Sequence, residues 1–145
     1  MDFMTILDIG ASALSAERTH LNVISMNLAN VNTTQTAEGG PYRRKTVLFK
    51  AVPLETPFSR EMQTALDREL RGVQVKAVVT DKRPFKRVYD PGHPDADADG
   101  YVNYPDINAV EEMANLMTAL RTYEANVSAI TTAKTMFNKA LEIGR

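Results

Sequence analysis

The sharpest chemical spacing in the chain is Asp95-Ala96-Asp97-Ala98-Asp99-Gly100-Tyr101-Val102-Asn103-Tyr104-Pro105-Asp106. Carboxylates at the first, third and fifth places, glycine at the sixth, an apolar eighth and an acid at the twelfth follow the order in which an EF-hand loop offers oxygen to calcium. Two features oppose that reading. Asp106 is shorter than the glutamate that normally closes such a loop on both oxygens. The entering side, Pro91-Gly92-His93-Pro94, cannot supply the helix that an EF-hand needs. The expectation is a plain Asp/Gly turn, with a calcium-binding regulatory module built on Asp95–Asp106 as the alternative.

Elsewhere the reactive residue types are scattered. His20 and His93 belong to no nucleophile motif, and neither a phosphate-cradling glycine loop nor an HExxH pattern is present. Cysteine is absent, which excludes disulfides, thiolate zinc sites and cysteine nucleophiles. Arg43-Arg44-Lys45 beside Tyr42 has the charge to grip phosphate, but a lone basic triplet at a strand start is ordinarily solvated surface or a subunit contact. Seventeen basic against 18 acidic residues give a formal net charge of −1, so no global field favours nucleic acid or an anionic membrane. No run approaches the roughly 18 apolar residues of a membrane span. The residues therefore argue against an enzyme and provide no catalytic, metal or cofactor site.

Stronger patterning lies in the elements at the two ends. From Met113, steps of three and four residues give Met113, Leu116, Leu120, Tyr123, Val127, Ile130, Lys134, Phe137 and Leu141, and only Lys134 breaks the apolar row. That step averages 3.5 residues, the seam of a helix wound against another. Asn108 is placed to cap the start, with Glu111 three residues on to return the bond and Glu112 to favour the positive end. Gly144 is placed to close the other end. Such a helix, 108–145, is longer than a small domain is wide and needs a partner of similar length.

The first helix, expected over 2–30, offers that partner. The same step gives Phe3, Leu7, Gly10, Leu14, Glu17, Leu21, Ile24, Leu28 and Val31, a weaker seam interrupted by Gly10 and Glu17. Gly10 is either a site of close helix approach or a tolerated weak spot. Both stripes fit a core within one small bundle as well as contacts between chains. Ala11-Ser12-Ala13 imitates a signal-peptide cleavage site, but no basic segment precedes it and Asp2 and Asp8 bracket a very short apolar run. The segment reads as helix, not as a leader.

Between the helices the period changes. Asn27 to Thr34 is rich in Asn and Thr and predicts a C-cap and turn without glycine. Tyr42–Phe49, Val73–Thr80, Pro84–Tyr89 and Tyr101–Tyr104 read as strands. Phe58–Leu70 mixes helix formers with charge and reads as a short helix or loop. The fold class is α+β: a discontinuous helical core, 1–31 with 108–145, carries a small β-rich outer domain at 32–107.

Asn27-Leu28-Ala29-Asn30-Val31-Asn32-Thr33, at the end of an N-terminal amphipathic helix, resembles the signature of bacterial flagellar axial proteins. The longer link through Gly40-Pro41-Tyr42-Arg43-Arg44, the stretch Phe85–Asp99 with its Asp-Pro-Gly-His-Pro block, Gly100–Asp106, Val110–Met113 and the ending Ala140–Arg145 resemble the C-type proximal rod subunits of that family. Phe58–Gly72 carries no such likeness. The resemblance implies a structural subunit of the periplasm-crossing driveshaft, located in the bacterial flagellum basal body. It implies export without cleavage by the flagellar type III apparatus, as a poorly ordered monomer. The terminal helices would pair as a coiled coil lining the inner tube and bury their seams against themselves, other rod subunits and basal-body proteins. The acidic loop belongs to the family pattern with no calcium role.

Overall fold

The computed structural model describes residues 3–53 and 70–143. In chain order the elements are α1 (Phe3–Ala29), β1 (Lys45–Pro53), β2 (Arg71–Thr80), β3 (Lys86–Tyr89), β4 (Tyr101–Tyr104) and α2 (Ala109–Ile143). The class is α+β, and each expected helix and strand has its counterpart. The short helix or loop expected at 58–70 lies, apart from Leu70, outside the described residues, as does the Gly144 cap.

The four strands form two separate antiparallel pairs, β1 with β2 and β3 with β4. In the first pair the register shifts between Leu48 and Phe49, which face Ala77 and Val75, so that Lys76 is the extra residue of a bulge. Val47 is buried. The hairpin lies on α1: Ser12 Oγ accepts a hydrogen bond from Val73 N at 3.1 Å, and the Phe49 ring meets His20 edge-on at 5.5 Å. Ser12, at the centre of the sequence that imitates a cleavage site, is thus mid-helix and holds the hairpin. The smaller pair places Tyr89 opposite Tyr101, with rings 5.3 Å apart, and Val102 is buried.

The two helices run antiparallel, because their contacts pair the start of one with the end of the other. Phe3 stacks on Phe137 with ring centroids 4.2 Å apart. Midway, a Cβ built on Gly10 would lie 2.6 Å from Ile130 Cγ1, so glycine here permits a close helix approach. At the far end Asn27 meets Glu112. Residues 138–143 of α2 therefore continue past the point where Phe3 meets Phe137.

The turn after α1 closes without a left-handed residue. Asparagine tolerates that conformation, yet only glycines have positive φ among the described residues. Instead the Asn30 side-chain amide donates to Met26 O at 2.8 Å and Thr33 Oγ1 donates to Asn30 Oδ1 at 3.1 Å. Met26 O thus accepts both the backbone N–H and the side-chain amide of Asn30, and Leu28 O accepts from Val31 N, so the helix end is closed by right-handed turns.

Candidate functional site

Where α1 ends, Asn27 is almost completely buried, with 1% of its surface exposed. Its Oδ1 accepts from Lys45 N at 2.9 Å and from the Tyr42 hydroxyl at 3.1 Å. Its Nδ2 donates to Lys45 O at 2.9 Å and to Glu112 Oε2 at 3.1 Å. Both donors and both acceptor positions of the amide are used. Glu112 is equally buried, and its Oε1 accepts from Arg44 Nε at 2.7 Å. Arg44 Nη1 also donates to Thr46 Oγ1.

One hub therefore ties together the last turn of α1, the residues leading into β1 and the first turn of α2. No buried side-chain nitrogen or oxygen among the described residues is left without a partner. That completeness matters, because a buried charge pair with a missing partner is strongly destabilising. Burial, and next the negative charge of Glu112, push the Tyr42 hydroxyl pKa above its usual value.

Asn108 caps α2 as expected: its Oδ1 accepts from Val110 N at 3.1 Å and from Glu111 N at 3.4 Å. Among the described contacts Glu111 does not return a bond to Asn108. Glu112, placed on the sequence as a charge at the helix start, instead turns into the hub. The basic triplet divides in the same way. Arg44 goes inward, while Arg43 lies 4.3 Å over the Phe85 ring with Nη1 3.4 Å from the carbonyls of Asp81 and Arg83.

The rest of the Asn-rich motif organises the turn. Leu28 and Val31 are half-buried, Ala29 and Asn32 are exposed, and Thr33 O accepts from Tyr42 N at 3.1 Å. Thr34 Oγ1 donates to Asp95 Oδ2 at 2.7 Å and so pins the acidic loop to this turn.

The carboxylates of that loop do not converge. Asp95 is held by Thr34, Asp97 lies 3.6 Å from Arg87, and Asp106 pairs with Arg83 at 3.1 Å. Arg83 also bonds Asp81 at 2.6 Å, which holds the Asp81 carboxyl below its usual pKa. Gly100, at φ +78°, turns the chain between Asp97 and Tyr101, with Gly100 N donating to Asp97 O. Among the described residues no group of three or more potential metal ligands comes together. The arrangement is an Asp/Gly turn tied down by its neighbours.

The seam residues of α2 divide into two sets. Leu116, Tyr123 and Ile130 are half-buried, and Phe137, though 41% exposed, stacks on Phe3. Met113, Leu120, Val127 and Leu141 are 58%, 44%, 41% and 59% exposed. The in-chain contact uses a different companion row, Glu112, Ala119, Asn126 and Ala133, of which the first two are buried and the others half-buried. Alternating with Leu116, Tyr123, Ile130 and Phe137, that row also gives a three-and-four step, and it lies one residue earlier than Met113, Leu120 and Val127. Val110 and Met117, 76% and 62% exposed, lie on the uncovered side with Met113. On α1, Ile24 is buried and Phe3, Leu7, Leu14, Leu21 and Leu28 are half-buried, so that seam is better covered within the chain.

Comparison with known proteins points the same way at both ends. Residues 7–35 match the family described as flagella basal body rod protein, and residues 98–143 match the C-terminal region of flagellar basal body rod FlgEFG proteins. The flagellar basal-body rod protein FlgC of Borreliella burgdorferi is 40% identical over 150 residues, spanning 99% of this chain and 98% of its own. That of Salmonella typhimurium is 39% identical over 145 residues and the full length of both chains. That of Bacillus subtilis is 41% identical, spanning 96% of each. Likeness at this level over the whole length means that the chain belongs to the FlgC family of flagellar basal-body rod proteins.

Proposed function

We propose that this chain is a structural subunit of the bacterial flagellar rod, held in place by burying the outer row of α2 against neighbouring subunits. One observation carries the reading: Met113, Leu120 and Val127 lie on one row, ahead of Lys134, that the described residues leave open, and Leu141 continues the row beyond the start of α1. Burying a large apolar side chain is worth about 1.5–3 kcal/mol, and a repeated assembly multiplies that gain. The helix pair, 1–31 with 108–145, forms the axial part, and 32–107 forms the outer part. Neighbours are further copies of this chain, other rod subunits and other basal-body proteins.

The protein reaches the rod through the flagellar type III export apparatus, with its N-terminal segment retained. The mid-helix position of Ala11–Ala13 and the bond from Val73 to Ser12 support retention. No described helix is long and apolar enough to cross a membrane, and the near-neutral charge favours neither direct membrane insertion nor nucleic-acid binding. The role requires neither catalysis nor a cofactor.

Complementation of a strain lacking the gene tests the reading. Leu120→Asp and Val127→Asp should allow synthesis and export yet abolish rod completion and motility, since each repeat would bury an unpartnered carboxylate. Thr118→Asp and Ser128→Asp, off the row, should be milder. Full motility with Leu120→Asp and Val127→Asp would overturn the assembly role of this face.

A further inference from the structure

Two rows of α2 compete for α1. Leu116, Tyr123, Ile130 and Phe137 form a shared row beside both. In one rotation of α2 the companion row facing α1 is Glu112, Ala119, Asn126 and Ala133. In the other it is Met113, Leu120, Val127 and Lys134, one residue later and about 100° further round the helix, with three large apolar side chains in place of two alanines, Glu112 and Asn126. On apolar area alone the second row should win. The structure shows the first.

The packing contacts of the shared row do not explain the choice. Ile130 against Gly10 and Phe3 against Phe137 both involve that row, which lies between the two companions. The directional contact that distinguishes the rotations is at Glu112, bonded to Asn27 and Arg44 at the base of the helix. Turning α2 toward its greasier row would withdraw the carboxylate and leave Arg44 and the Asn27 amide without that partner. We infer that the Asn27–Glu112–Arg44 hub is a rotational lock: it fixes the azimuth of α2 and keeps the apolar row on the outside, available to a neighbouring subunit. The purpose of the lock rests on the assembly reading above, but its existence does not. Polar groups buried in helix seams are known to select one packing arrangement at a cost in stability.

The chain lacks cysteine, so one introduced thiol reports one position. Maleimide labelling of dilute protein would compare Ala119→Cys, at a site 3% exposed, with Leu120→Cys, at a site 44% exposed. In the parent, Leu120→Cys should label faster by about tenfold or more. In Glu112→Gln, whose amide keeps one acceptor and turns a donor toward Asn27 or Arg44, the ratio should fall part of the way. In Glu112→Leu that ratio should collapse or invert. Arg44→Met should do the same, because rotation would release the unpaired Glu112 to water.

An unchanged ratio in both hub variants, with the helical circular dichroism intact, would show that close packing alone sets the azimuth and would overturn the lock. Equal labelling in the parent, or loss of helix in both hub variants, would overturn it too. Pelleting of concentrated protein separates the two claims. Inverted labelling with undiminished assembly leaves the lock standing and removes the outer row as the assembly face.

Discussion

The side-chain amide of Asn27 donates to Glu112 Oε2 across 3.1 Å, so the last turn of one terminal helix is bonded to the first turn of the other over 85 residues of chain. A near-isosteric change tests how much depends on that donor. Asn27→Asp would set a carboxylate against Glu112 and the Lys45 carbonyl. It is expected to cost about 3–5 kcal/mol at neutral pH, the range for an uncompensated buried charge. The new carboxyl would have a folded pKa raised above its unfolded value of about 3.9, because a like charge disfavours ionisation. Its neutral form is the tolerated one, so the deficit should be smallest below that value and grow as pH rises through the folded pKa. Urea melts at pH 4 and pH 7 measure this, and a deficit independent of pH would refute it.

Tyr42 titrates at the alkaline end. Its folded pKa is raised by burial and then by Glu112, so stability associated with the neutral phenol is complete below the unfolded value of about 10 and lost as pH rises through the folded pKa. Tyr42→Phe removes the hydroxyl that donates to Asn27 and should cost about 1 kcal/mol near pH 8. Above pH 10 the parent should lose stability and the variant should not lose this part of it. Thermal melts from pH 8 to 11 should show the gap narrowing.

Gly10→Ala gives the helix a better former, worth about 1 kcal/mol in an open position. Here the added methyl would meet Ile130 at 2.6 Å, and overpacking costs about 1–3 kcal/mol. The single change should therefore be net destabilising. With Ile130→Ala as the background, the same change should become stabilising. A double-mutant cycle by chemical denaturation would read the change of sign directly.

Thr34→Val should loosen the acidic loop without unfolding the hub, because it breaks only the bond to Asp95. Amide exchange at residues 93–100 should quicken while exchange in α1 stays as in the parent. Calcium at micromolar concentration should give no heat in titration calorimetry with either protein, since Asp95, Asp97 and Asp106 already have separate partners. A tight signal lost in Asp95→Ala would show that the loop reorganises around the ion.

Both helices, four strands and the turn after Asn27 were legible because each is written in local pattern: a three-and-four step, a period of two, or a cluster of Asn and Thr. The hub was not. Glu112 read as a charge favouring the helix start, and Arg44 as one of three surface cations. Only a contact between distant segments turns them inward. The choice of row on α2 was hidden for a related reason. Apolar residues select Met113, Leu120 and Val127, and nothing in the periodicity reveals that a buried carboxylate one residue earlier takes their place. Asn27 was visible as part of a motif, but its burial and its four hydrogen bonds depend on Tyr42, Lys45 and Glu112 being brought to it.

The continuation of α2 past Phe3 has a mechanical consequence. Six residues of helix, 138–143, measure about 9 Å at 1.5 Å per residue. Over the described residues the two helices do not end in a common plane. If copies follow one another along an axis, the joint at the end of α1 then lies beside unbroken α2, as a brick course lies beside the joints of the next. A load twisting such a column meets no flat plane along which to slip, and shear passes through continuous backbone at every level.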